Sequence, residues 1–68
     1  MEKIITRIRE LREEKELTQK QLGKEIGFSP NTISQYETGV LEPSLYTIKK
    51  LCDFFEVTAG YLLGFEEI

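Results

Sequence analysis

The chain has 68 residues, 40% of them hydrophobic and 31% charged, a globular balance outside the disordered class and enough for one small domain spanning 1–68. One cysteine and no histidine exclude an intrachain disulfide and a Cys/His zinc site, so no metal or other cofactor is expected and the fold has to come from packing. The net charge of −3 lies wholly in 40–68, where Lys49 and Lys50 face Glu42, Asp53, Glu56, Glu66 and Glu67, while 1–17 and 18–39 each balance; nucleic acid is disfavoured only on the acidic side.

Ile4, Ile5, Ile8 and Leu11 recur at helical spacing with charges between them, which predicts an amphipathic first helix from Glu2 to Glu16. Thr18 followed by Gln21 has the form of a capping box and starts a second helix at Gln19. Leu22 and Ile26 give this helix its inner face, and Gly27 closes it, about eight residues on, in the left-handed conformation. Ser29 then serves as N-cap with Pro30 at the first helical position, where a missing N–H is harmless. The third helix runs from there to Thr38 and ends at Gly39. Pro43-Ser44 marks a loop and a further cap, and Leu45, Ile48, Leu51, Cys52 and Phe55 carry the inner face of a fourth helix within 44–56. Thr58 caps a last short helix, 58–63, that carries Leu62 and Leu63 and stops at Gly64. No strand pattern, repeat or low-complexity segment is visible, and the fold expected is all-α with five helices.

The unit from Gln19 to Thr38 has the sterics of a helix-turn-helix: small Gly23 and permissive Gly27 let two short helices cross closely and steeply. Inside an ordinary helix Gly23 would lose about 1 kcal/mol against alanine, so close approach of another backbone is the economical reason for it. At about 100° per residue, Asn31, Gln35 and Thr38 fall within roughly 60° of one another, with Ile33, Tyr36 and Glu37 on the other side. That exposed stripe is polar but uncharged, and amide side chains pair bidentately with adenine in the major groove. With no histidine, no paired nucleophile and base, and no phosphate-cradling glycine loop, an enzyme is not expected. No apolar run approaches the roughly 18–20 residues of a membrane span, and the start Met-Glu-Lys-Ile-Ile has no secretory pattern, so a cytoplasmic protein without membrane contact is expected.

Leu17-Thr18-Gln19, Leu22-Gly23, Ile26-Gly27, Ile33-Ser34, Tyr36-Glu37, Gly39, Pro43-Ser44 and the ending Val57-Thr58-Ala59-Gly60-Tyr61-Leu62-Leu63-Gly64 together resemble the phage-repressor/Cro type of helix-turn-helix, the XRE family, over nearly the whole chain. The resemblance implies a compact five-helix, lambda-repressor-like domain that binds operator DNA, usually as a two-fold homodimer, and regulates transcription, most simply as a repressor. It puts Pro30, Asn31, Thr32 and Gln35 nearest the base edges, with Asn31 and Gln35 reading sequence. Gln19 matches a phosphate-contacting position at the start of the second helix; Ser29, Ser34 and Thr38 match further backbone contacts; Lys20 and Lys24 add charge contacts. Arg12 and Glu37 match a pair that ties the first helix to the third. Tyr61, Leu62, Phe65 and Ile68, apolar and close to the terminus, are expected at a dimer interface.

The sequence departs from the family pattern in four places. Pro30 stands where a polar residue is frequent, Glu16 where the turn often has glycine or asparagine, and Gly23 where alanine is common. Val40-Leu41-Glu42 lacks the basic residues frequent after the third helix, so phosphate attraction should be weak. The same acidic third, with Val40 and Leu41, supports an alternative: a protein-interaction module on this fold, with a partner such as a toxin, antirepressor or polymerase subunit. Steep salt dependence would mark DNA binding and an almost flat response the protein partner.

Overall fold

The computed structural model describes residues 7–66. They form α1 (Ile8–Glu14), α2 (Gln19–Ile26), α3 (Pro30–Thr38), α4 (Leu45–Phe55) and α5 (Ala59–Leu62). Ile4 and Ile5, expected on the inner face of the first helix, lie outside the described residues, as does Ile68. The second and third helices, expected from Gln19 over about eight residues and from Pro30 to about Thr38, are observed as α2 and α3; both are bounded by side-chain caps at one end and a glycine at the other.

The local chemistry of those ends is visible in the backbone. Thr18 Oγ1 accepts from the Gln21 N–H at 3.0 Å while the Gln21 side-chain oxygen accepts from the Thr18 N–H at 2.8 Å, satisfying two donors that the helix leaves without partners. Ser29, Ser44 and Thr58 each accept from the backbone N–H three residues on. Gly27 and Gly39 end α2 and α3 at φ of 87° and 80°, the region open to glycine at little cost. Glu16 and Glu56 take φ of 56° and 59°, so the departure at Glu16 does place a side chain in a strained turn, and α4 ends the same way without a glycine.

Gly23 is where the fold is tightest. A methyl group there would collide with the carbonyl of Phe28, and the Gly23 carbonyl accepts from the N–H of both Gly27 and Phe28. The approaching backbone is thus the α2–α3 turn itself folding back over the end of α2. Phe28 then stacks edge-on against Tyr36 of α3, ring centroids 5.8 Å apart, closing the corner.

The core gathers Ile8, Leu11, Leu22, Ile26, Ile33, Tyr36, Leu51, Phe55 and Leu62, with Phe28, Ile48, Cys52, Phe54, Val57 and Tyr61 packed around it. Every helix contributes, which is how so short a chain removes enough apolar surface from water to hold together. The expected inner face of α4 needs one correction. Leu45 is 85% exposed, whereas Thr47 is buried. Counting about 100° per residue, Thr47 lies only about 40° from the direction of Leu51 and Leu45 about 120° away. The Thr47 hydroxyl is satisfied there by the Ser44 hydroxyl at 3.1 Å. An apolar side chain at helical spacing lost its place to a threonine with a local partner.

Candidate nucleic-acid interface

The third helix is fixed from behind and open in front. Ile33 and Tyr36 are buried in the core. Glu37 is held by α1: Arg12 Nε donates to Glu37 Oε2 at 2.6 Å and Arg12 Nη2 to Oε1 at 3.2 Å. The side chains of this pair keep only 11% and 4% exposure, so it is a fork-to-fork bond shielded from water, the strong kind. The bond to Glu37 raises the Arg12 pKa above its ordinary value, against the opposing effect of burial. Arg12 also donates through Nη1 to the carbonyl of Leu17 at 2.7 Å, so one guanidinium ties α1, the turn before α2, and α3. The expected tie between the first and third helices is present.

Gln19 joins this network. Its Nε2 donates to Glu37 Oε1 at 3.1 Å, a bond that sequence spacing does not reveal, since the position matches one that faces phosphate. The amide has a second N–H, and the first helical turn of α2 adds its own backbone donors at the same spot. Lys50, also unanticipated, donates from Nζ to the carbonyl of Ile26 at 2.8 Å, a cation on the C-terminal end of α2 where the helix dipole favours one. Gln19 thus ties the start of α2 to α3, and Lys50 ties its end to α4. The Cys52 thiol packs against the core, and burial first, then the charge of Asp53, raises its pKa, which favours the protonated thiol.

The solvent face of α3 carries the residues expected to read bases. Asn31 is exposed and Gln35 half-buried, and among the described residues neither side-chain amide has a hydrogen-bond partner. Pro30 is exposed beside them. Ser29 and Thr32 are engaged with each other, their hydroxyls 3.0 Å apart and the Ser29 oxygen capping the Thr32 N–H. Thr38 turns its hydroxyl toward the Gln35 carbonyl, and Ser34 is half-buried. Lys20 and Lys24 are exposed on α2. The fold therefore brings Gln19, Lys20, Pro30, Asn31, Thr32 and Gln35 onto the two helices of one corner.

The expected terminal interface does not survive whole. Leu62 is fully buried in the core, because α5 has to close the domain: the carbonyl of Leu62 accepts from the N–H of Arg7 at 2.8 Å. It is not available to a second copy. Tyr61 is half-buried beneath the Arg7 guanidinium, 4.2 Å from its ring centroid, and Phe65 is 72% exposed. Ile68 lies outside the described residues.

Residues 8–62 match the helix-turn-helix family, and the chain belongs to that family, in its phage-repressor-like branch. Among curated relatives it is 37% identical over 62 residues to the cryptic phage CTXphi transcriptional repressor RstR of Vibrio cholerae, covering 91% of this chain and 56% of that protein. It is 32% identical over 62 residues to the transcriptional regulator ImmR of Bacillus subtilis (strain 168), covering 91% of this chain and 49% of the relative. The chain thus spans about half the length of these two relatives. Among solved structures, the P22 c2 repressor in complex with a synthetic operator superposes with a TM-score of 0.81 at 33% identity, over 88% of this chain and 91% of the repressor chain. No helix among the described residues is long and apolar enough to cross a membrane.

Proposed function

We propose that the chain is a sequence-specific DNA-binding regulator of transcription, most simply a repressor acting by occupancy of its operator. The observation that carries this reading is the pair of amides, Asn31 and Gln35, left without partners on the outer face of a helix whose inner face is locked by Ile33, Tyr36 and the Arg12–Glu37 pair. A rigid helix with free amides suits the major groove, where Asn and Gln each match the donor and acceptor of adenine. Two copies read successive half-sites of a near-palindrome, their third helices about 34 Å apart. Gln19 and Lys20, with the N-terminal N–H groups of α2, contact phosphate and set the register; Ser29, Ser34 and Thr38 do so around α3, while Thr32 and Pro30 lie near the base edges, Pro30 offering van der Waals contact alone. The unit carries no catalytic chemistry and works in the cytoplasm, where it meets DNA. The P22 c2 repressor, similar in fold and bound to operator, supports the reading.

The test is selection of bound duplexes from a random pool at two salt concentrations, with the wild type and an Asn31→Ala, Gln35→Ala double variant. An enriched near-palindrome that the double variant no longer selects is the expected outcome. No enrichment by the wild type at either salt overturns DNA reading. On the selected site Gln35→Ala alone is expected to weaken binding by about 1–3 kcal/mol, with little change on random DNA. The slope of log affinity against log salt is expected to be shallow, about −3 to −6 per dimer, because few lysines border the reading helix.

A further inference from the structure

A groove of about 530 Å³ lies away from the reading helix, lined by Lys15, Leu17, Gln21, Lys24, Glu25 and Phe54. Its volume falls in the range of small-molecule sites. The walls come from the turn between α1 and α2, from the outer side of α2 and from α4. Counting about 100° per residue, Gln21, Lys24 and Glu25 share an arc of about 100° on α2, and α3 contributes no wall.

The fold itself fixes these walls. Arg12 holds the Leu17 carbonyl at 2.7 Å, which sets the turn. Gln21 spends its Oε1 on the Thr18 N–H, so the amide is oriented, and both N–H groups of its Nε2 are left without a partner among the described residues. Phe54 is half-buried against the core and meets Phe55 edge-on, ring centroids 5.1 Å apart. The Lys15 ammonium stands 5.7 Å from the Phe54 ring centroid. Lys24 and Glu25 are exposed, and neither forms an ion pair among the described residues.

This lining selects a ligand by its chemistry. Leu17 and Phe54 offer an apolar floor on which an aromatic ring can stack. Lys15, Lys24 and the free end of Gln21 are all donors, which calls for a carboxylate. Glu25 is the one acidic side chain of the groove; it repels a plain carboxylate and accepts from an ammonium. A molecule that joins a ring, a carboxylate and a neighbouring ammonium meets every wall at once. We propose that the groove binds a free aromatic α-amino acid, with its ring on Phe54 and Leu17, its carboxylate on Lys15 and Lys24, and its ammonium on Glu25. The site stands apart from DNA reading, since Gln19, Lys20, Asn31 and Gln35 all lie outside its lining. A ligand of about a dozen non-hydrogen atoms at ordinary efficiency binds with a Kd on the order of 1 mM, suited to sensing an abundant metabolite.

The test is titration of the isotope-labelled chain, followed by its amide NMR shifts, with L-phenylalanine and with its fragments. 3-Phenylpropionate lacks the ammonium, phenethylamine the carboxylate, and L-alanine the ring. L-Phenylalanine is expected to give saturable shifts at Leu17, Gln21, Lys24 and Phe54, with each fragment binding about fivefold or more weakly. The variants change exposed side chains outside the core, so the fold is kept. Lys24→Gln is expected to weaken L-phenylalanine about threefold or more. Glu25→Gln is expected to weaken L-phenylalanine and strengthen 3-phenylpropionate until the two lie within about twofold, because the like charge that rejects the plain carboxylate is gone. Lys20→Gln, one turn back on α2 and outside the groove, is expected to change neither. The absence of saturable shifts up to about 20 mM L-phenylalanine overturns the proposal. So do shifts centred outside the groove, 3-phenylpropionate binding the wild type as tightly as L-phenylalanine does, or equal losses in Lys20→Gln and Lys24→Gln.

Discussion

The α2–α3 unit and the α4–α5 half are built from helices of similar quality, yet they finish differently. Between Gln19 and Thr38 no large apolar side chain is left exposed, and both helices end on glycine. In the second half α4 ends on Glu56 in the left-handed region and leaves Leu45 and Tyr46 in solvent. The difference follows from the demands on position. If α3 reads bases as proposed, its amides have to sit within a fraction of an ångström of them, which fits glycine-ended helices and a packed inner face. The second half has to bury Leu51, Phe55 and Leu62, and beyond that it leaves Leu45 and Tyr46 in solvent.

The sharpest way to break this comparison is to cut the tie that holds the reading unit to α1. Glu37→Ala leaves Arg12 shielded and without its carboxylate, and a loss of about 3–5 kcal/mol is expected in urea unfolding; a loss below 1 kcal/mol would mean the pair does not hold α3 in place. Leu62→Ala comes next, expected to destabilise by about 2–5 kcal/mol as a cavity-forming core substitution, whereas Leu45→Ala on the outside of α4 should change stability by less than about 0.5 kcal/mol. Equal effects at the two leucines would erase the distinction between core and exposed surface. Gly23→Ala is expected to destabilise by about 1–3 kcal/mol despite its better helix propensity, since the added methyl meets the Phe28 carbonyl and the turn has to move. The smallest effects compare helix ends: Gly39→Ala should lose about 1 kcal/mol, and Glu56→Gly should gain up to about 1 kcal/mol, by thermal unfolding. A gain at Glu56 with no loss at Gly39 would show that the reading unit is not held to the stricter standard.

The reading unit was the more legible half for the same reason. Its boundaries are set by residues acting on their own neighbours: Thr18 with Gln21, Ser29 with Thr32, Gly27 and Gly39 with their own backbone. Such contacts span three or four positions and are written directly in the sequence. The tie between Arg12 and Glu37 came from family resemblance, and only the folded chain brings the two together across 25 positions.

Where several elements compete for one space, sequence spacing was not enough. Leu45 falls at helical spacing with Ile48 and Cys52, but Thr47 lies closer to the buried direction of Leu51 and has its hydroxyl satisfied by Ser44. Leu62 looked like a residue to spare near the terminus and is instead the plug that α5 drives into the core. Gln19, expected to face phosphate, is partly spent on Glu37. The sequence by itself determined five helices, the last four with side-chain N-caps, the helix-turn-helix corner and the amides of α3, because each follows from local periodicity and capping. Which apolar side chains close the core and which stay outside, Leu62 within and Leu45 and Tyr46 without, was decided only when the helices packed, because burial depends on all the neighbouring elements at once.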